Sequence, residues 1–232
     1  MTRDPNVLMV ERVARALGPL RERMVFLGGC ATGLLLTDAA AAAVRATRDV
    51  DLIVEAADRN AFHRLETRLS KLGFRHDTSE GAPLCRWTFE DVVVDVMPTN
   101  PDLLGFSNRW YPEAVRSSSR RTLENGLEIA LVAPACFLAT KLEAFRGRGR
   151  ADFAASHDLE DFVCVVDGRA EIVNDVKGAS AALRDYLRLE LGKLLRDERF
   201  LSSLSGHLAS DAAGQARLPL VLRRLASIAG VE

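Results

Sequence analysis

Apolar residues fall at Val7, Leu8, Val10, Val13 and Leu17, the spacing of one helix face, behind Asp4 and Pro5 as cap and first helical residue. An opening helix is expected. The run "MVFLGG" predicts a short buried strand, Met24 to Leu27, closed by a glycine turn. "CATGLLL" reads as a helix start behind it, and "DAAAAAVRA" as an alanine-rich continuation or insertion. "DVDLIVEA" predicts the second strand. "DRNAFHRLETRLSKLGF" is amphipathic, with Asp58 placed to cap it and Gly73 to stop it.

Beyond Gly73 the period shortens. "FRHD", "LCRWTF" and "VVVDVMP" read as short strands between turn residues, the last two joined through Glu90 and Asp91, and they extend the first two strands as a meander. Asn125-Gly126 between apolar segments predicts a hairpin with a two-residue turn. From Pro134 the apolar spacing is helical almost throughout: Pro134 to Arg146, Ser156 to Asp167, Ser180 to Leu195 and Leu218 to Ile228. Strands first and helices afterwards predict an α/β (α+β) fold, with a small mixed-sheet core over residues 1–132 and a helical domain over residues 133–232.

At 232 residues, 48% hydrophobic and 27% charged, the chain can bury a core of its own. Cys30, Cys85, Cys136 and Cys164 stand far apart, which suggests neither a C-x-x-C zinc site nor a disulfide framework and fits reduced thiols. The first residues are charged and periodic, and no stretch approaches a membrane span. The expectation is a cytoplasmic protein that begins near Met1 and has no membrane partner. A formal net charge of −1 argues against coating nucleic acid through the overall field. From Arg109 to Arg150, however, eight cations stand against four acids, a local +4, which suits either phosphate binding or a merely solvated face.

Strand alternation locates the chemistry. In "TRDVDLIVE" Asp49, Asp51 and Ile53 face one side, and Val50, Leu52 and Val54 face the core. In "VVVDVM" the same logic sets Asp95 opposite the core face of Val92, Val94 and Val96. Three carboxylates in one partly dehydrated cleft repel one another unless cations neutralise them, and magnesium, a hard ion that takes oxygen ligands and phosphates, suits them. Gly28-Gly29, between strand and helix, lets backbone approach a phosphate closely. It is neither a Walker A loop nor a G-x-G-x-x-G turn. Lys141 lies beside the stripe of Phe137, Leu138, Leu142 and Phe145, where it must snorkel or meet an anion. Asp158 and Asp161 sit one turn apart on the next helix.

In order, "FLGGCATGLLL", "TRDVDLIVE" and "VVVDVMP" resemble the signature of the DNA polymerase beta-type nucleotidyltransferase superfamily. Lys141 followed by "HDLEDFV" is similar to its AbiEii-like branch of toxin–antitoxin and phage-defence toxins. The resemblance covers most of residues 24–165, with an insertion between Gly29 and Asp49 and with His157-Asp158 in place of the usual Arg-Asp. It implies that Asp49, Asp51 and Asp95 hold two magnesium ions, with Asp95 beside the attacking hydroxyl. Gly28, Gly29 and Arg48 would bind a nucleoside triphosphate, Lys141 would neutralise the departing pyrophosphate, and Asp158 would orient Lys141 or the nucleotide. The implied acceptor is an RNA end, tRNA first, with a cognate antitoxin as partner and Trp110 beside Arg109 as a stacking platform. Alternatives are a small-molecule (antibiotic) or protein acceptor, a non-catalytic nucleotide sensor, and a glycosyltransferase that uses Asp-x-Asp alone.

Overall fold

Asp4 caps the first helix as its position implies. Its carboxylate accepts the Asn6 N–H at 2.8 Å, Pro5 supplies the first helical φ, and α1 runs Pro5–Leu17 with Val10, Val13 and Leu17 fully buried. The structure, a computed structural model, describes residues 4–148 and 152–231, so Arg150 of the basic run lies outside the described residues. The chain forms two compact units, Met1–Gly33 with Ala46–Ala133, and Leu34–Arg45 with Pro134–Glu232.

The first unit holds a seven-stranded mixed sheet of β1 (Met24–Leu27), β2 (Asp49–Val54), β3 (Arg75–His76), β4 (Arg86–Phe89), β5 (Val92–Pro98), β6 (Ser119–Thr122) and β7 (Glu128–Leu131), in the order β3-β4-β5-β2-β1-β7-β6. β2 lies antiparallel to β1 and parallel to β5, and β1 lies parallel to β7. The apolar strands β1, β2 and β5 take the centre, with most of their residues buried. The edges go to the two-residue β3 and to the fully exposed Ser-Arg-Arg-Thr of β6, a polar rim that resists pairing with another sheet.

Asp58 accepts the Ala61 N–H at 2.7 Å and starts α3 (Arg59–Lys71). A helix that the apolar pattern did not predict, α4 (Tyr111–Arg116), packs against β1 and β2. The β6–β7 hairpin forms where Asn125-Gly126 indicated, with a wider turn. Leu123 donates its N–H to the Leu127 carbonyl at 2.8 Å, Gly126 takes φ +81°, and Asn125 Oδ1 accepts the Leu127 N–H at 3.0 Å. A three-residue loop with glycine in the left-handed position satisfies these groups better than a two-residue turn.

The second unit is helical: α5 (Pro134–Gly147), α6 (His157–Gly168), α7 (Ile172–Lys177), α8 (Ala181–Leu194), α9 (Glu198–Ser203), α10 (Ala212–Gln215) and α11 (Leu218–Ala229). Phe137, Phe162, Leu187, Leu191, Val221 and Leu225 are fully buried in it, and Phe153 stacks 5.5 Å from Phe145 and 5.8 Å from Phe200. Among the described residues no helix is long and apolar enough to cross a membrane.

The alanine-rich stretch is where helix propensity fails. After the short α2 (Thr32–Leu35), residues 36–48 carry neither helix nor strand. Thr37 and Asp38 both donate N–H to the Gly168 carbonyl, at 3.0 and 2.9 Å, and Arg217 grips Asp38 at 2.7 Å. A Cβ on Gly168 would lie 2.9 Å from Leu36 and Ala41 side-chain atoms, so the close passage needs glycine there. Hydrogen bonds to a fixed neighbouring element outweigh alanine's small intrinsic preference for helix.

Candidate metal centre

Strand register builds the site. Parallel pairing of β2 with β5 sets Asp51 opposite Asp95, and antiparallel pairing of β1 with β2 sets Leu27 opposite Asp51. Paired residues of adjacent strands share a face, and Asp49 lies two residues before Asp51 on that same face. One oxygen from each of Asp49, Asp51 and Asp95 lies within 4.8 Å of the other two, with Asp95 buried and the others half-buried. The three acids singled out from alternation are therefore brought together.

Gly28 adjoins them directly, with φ +74° and ψ −166°, a conformation that in practice only glycine adopts. A Cβ there would fall 1.7 Å from Asp51 Oδ2. Gly28→Ala is expected to cost about 1–3 kcal/mol in backbone strain alone and to push the Asp51 carboxylate out of the cluster. Chemical denaturation of the variant beside wild type measures the first effect, and wild-type stability would show that the turn relaxes freely. Gly29 is buried and opens a single 3₁₀ turn, Gly29–Ala31, before the four-residue α2. The expected helix start behind the glycines is thus too short to carry much of a dipole, and any attraction for an anion comes from the turn's own N–H groups.

Three supports escaped the sequence reading. Buried Asn6 of α1 accepts the Thr47 N–H at 3.0 Å, and the Thr47 hydroxyl donates to Asp49 Oδ1, so the opening helix orients the first acid of the site. Arg86 of β4 stands opposite Asp95 and donates from Nε to Oδ1 and from Nη2 to Oδ2, both at 2.9 Å. The Asp95 carboxylate raises the Arg86 guanidinium further above its ordinary range, against the opposing effect of burial. The signal for this pair was present in the sequence. A turn at Glu90-Asp91 puts Phe89 opposite Val92, and counting outward along the hairpin puts Arg86 opposite Asp95. At Cys85, beside this pair, burial first and Asp95 second push the thiol up to about 12, which disfavours the thiolate.

Lys141 belongs to the helical unit, on α5. It meets anions rather than water, with Nζ 2.7 Å from Asp161 Oδ2 and 3.5 Å from Asp158 Oδ1. Asp161 is therefore its nearer partner, although the resemblance drew attention to Asp158. Arg45 reaches Asp161 at 3.4 Å and Glu160 at 3.2 Å, and Arg148 reaches Asp158 at 2.9 Å, which closes a cluster of three cations and three carboxylates. Arg48, the remaining residue assigned to the nucleotide, is exposed and has no ion pair among the described residues.

The stacking platform is corrected. Trp110 is only 6% exposed, and the Arg109 guanidinium lies 4.9 Å over its ring, so no face is open to a base. Within the basic run Lys141, Arg146 and Arg148 have carboxylate partners, and its exposed cations in the first unit are Arg109, held over Trp110, with Arg116, Arg120 and Arg121. An apolar groove of 480 Å³, lined by Leu17, Leu20 and Leu72 and rimmed by Arg23, Arg68 and Lys71, lies before the N-terminal end of β1 and shares no residue with the acidic cluster.

No protein-family model and no curated protein matches the sequence. Solved structures do. An antigenic nucleotidyltransferase-like protein from Paracoccidioides brasiliensis superposes with a TM-score of 0.53 at 20% identity, over 92% of this chain and 98% of that one. The antibiotic-resistance factor ANT(2'')-Ia superposes with a TM-score of 0.48 at 16% identity, over 83% of this chain and 97% of that one. The first likeness gives the chain a nucleotidyltransferase-like fold, as the order of its motifs implied; the second is too weak to add to it.

Proposed function

We propose that this chain is a magnesium-dependent nucleotidyltransferase that moves a nucleoside monophosphate from a nucleoside triphosphate to an acceptor hydroxyl. The observation that carries the reading is the convergence of Asp49, Asp51 and Asp95 beside Gly28 in a nucleotidyltransferase-like fold. The donor set fits magnesium, since all three are hard oxygen ligands close enough to share an ion. Arg86 does not block it, because a carboxylate offers about four lone-pair sites and the fork takes two. Bound at Asp49, Asp51 and Asp95, magnesium would supply Lewis-acid stabilisation of charge on the triphosphate and on the attacking oxygen.

The residues of the chain account for the rest of the transfer. Gly28 and Gly29 admit the triphosphate close to backbone N–H groups, which orient it. Asp95 stands by the acceptor hydroxyl and takes its proton as the new bond to the α-phosphorus forms and the bond to pyrophosphate breaks. Lys141 is assigned to the departing pyrophosphate and Asp158 to holding Lys141, an assignment supported by the resemblance and by their ion pair. Most of the acceleration then comes from positioning and electrostatics, as in phosphoryl transfer generally.

For the acceptor we favour an RNA end, tRNA first, in a toxin that works against a cognate antitoxin. Support comes from the AbiEii-like arrangement of the motifs and from exposed Arg116, Arg120 and Arg121. Incubation with each labelled triphosphate, magnesium and total cellular RNA is expected to label RNA with one nucleotide in preference to the others. Label confined to protein or to a small molecule would move the acceptor to that class. Tight triphosphate binding with no pyrophosphate release would make the chain a sensor.

A further inference from the structure

Within the nucleotidyltransferase reading, on which this step rests, the two-point contact of Arg86 on Asp95 has a consequence of its own. The terminal torsion of an aspartate is soft and nearly two-fold, so an unrestrained carboxylate turns easily about its last bond. Asp95 is not unrestrained. Both of its oxygens accept from one rigid guanidinium at 2.9 Å, and the strand register that puts Arg86 opposite Asp95 also puts Asp51 opposite it on the other side. A planar fork on both oxygens fixes the plane of the carboxylate as well as its position. The side chains are only 30% and 11% exposed, so water competes weakly for the contact.

We infer that Arg86 is a positioning residue that sets the plane of Asp95, so that a lone pair on the side away from the fork is presented to the cation held with Asp49 and Asp51. Its charge alone would act in the opposite direction, because a guanidinium beside the cluster repels any divalent cation that approaches. The two effects of removing Arg86 therefore differ in sign. Loss of orientation weakens metal binding, and loss of repulsion strengthens it. Groups that hydrogen-bond and hold metal ligands in place are typically worth about 10–100-fold in affinity or activity, and on that scale orientation dominates.

Manganese, a paramagnetic substitute for magnesium, makes the sign measurable without turnover, through loss of the free-ion resonance on titration. Arg86→Met is expected to bind manganese about 10–100-fold more weakly than wild type, with kcat reduced more than KM for the triphosphate changes. Arg86→Lys keeps the charge without the fork and is expected to recover only a small part of the loss. Should Arg86→Met fail to fold by circular dichroism, Arg86→Lys beside wild type carries the same comparison. Unchanged or tighter manganese binding by Arg86→Met overturns the inference while leaving the metal site standing, and full recovery by Arg86→Lys overturns it too, since one donor would then orient Asp95 as well as the two-point fork. Wild-type protein that binds no manganese overturns the metal reading itself, and the role of Arg86 with it.

Discussion

Asp51→Asn is expected to lower nucleotide transfer on the order of 10³-fold, the upper end of what loss of one electrostatic contact to a transition state costs, while the protein melts at or slightly above the wild-type temperature. Asp51 is the hinge of the cluster. Its carboxylate stands between Gly28, whose missing Cβ leaves it room, and Asp95, its register partner on β5. Asparagine keeps the shape and removes the charge, so sterics and strand pairing survive. Without metal the wild-type cluster holds three carboxylates within 4.8 Å of one another, with Arg86 paired to Asp95, and loss of one negative charge relieves repulsion among them. A purely structural acid would show the opposite pattern, lower stability with activity intact. Single-turnover transfer with labelled triphosphate beside calorimetry of the same sample separates the two, and a fully active Asp51→Asn would end the assignment of this cluster to catalysis. Asp49→Asn is expected to behave alike, less part of the hydrogen bond from the Thr47 hydroxyl, which a neutral amide oxygen accepts less well than a carboxylate.

How much of this was legible depended on which interaction fixed each feature. Alternation along β2 and β5 is local, so the faces of Asp49, Asp51 and Asp95 could be read from the sequence. Their convergence needed the pairing of two strands far apart in the chain, which only the ordered resemblance suggested. The helix caps at Asp4 and Asp58 were readable because each bond closes within a few residues. The Thr47 and Asn6 supports were not, since a buried asparagine on a helix has no spacing rule that points to a strand entrance some forty residues later. For the alanine-rich stretch the sequence left helix continuation and insertion both open, because alanine carries only a weak preference for helix, while Gly168 and Arg217, distant in sequence, hold the backbone of Thr37 and Asp38 and the Asp38 carboxylate. Trp110 failed for a related reason: an aromatic beside an arginine looks like a nucleic-acid platform until burial shows that the arginine already covers the ring.

The second large effect concerns stability in the helical unit. Lys141→Met is expected to destabilise the protein by about 3 kcal/mol, the lower end of the range for breaking a buried ion pair by removing one partner. Asp161 has a side chain only 1% exposed and would lose its 2.7 Å contact with Nζ. The lower end applies because Arg45 remains 3.4 Å away, and because Asp158 keeps Arg148 at 2.9 Å. At about 2–4 °C per kcal/mol for a chain of this size, the melting temperature should fall by about 6–12 °C. Adding Asp161→Leu removes the stranded charge, and Arg45 still has Glu160 at 3.2 Å, so the double variant should regain much of the loss. Its activity then separates two roles for the lysine. If Lys141 serves the departing pyrophosphate, the double variant is stable and inactive, because the cations left in the cluster, Arg45 and Arg148, are held by Glu160 and Asp158. If activity returns together with stability, Lys141 is a core counter-charge, and the pyrophosphate must find its cation elsewhere.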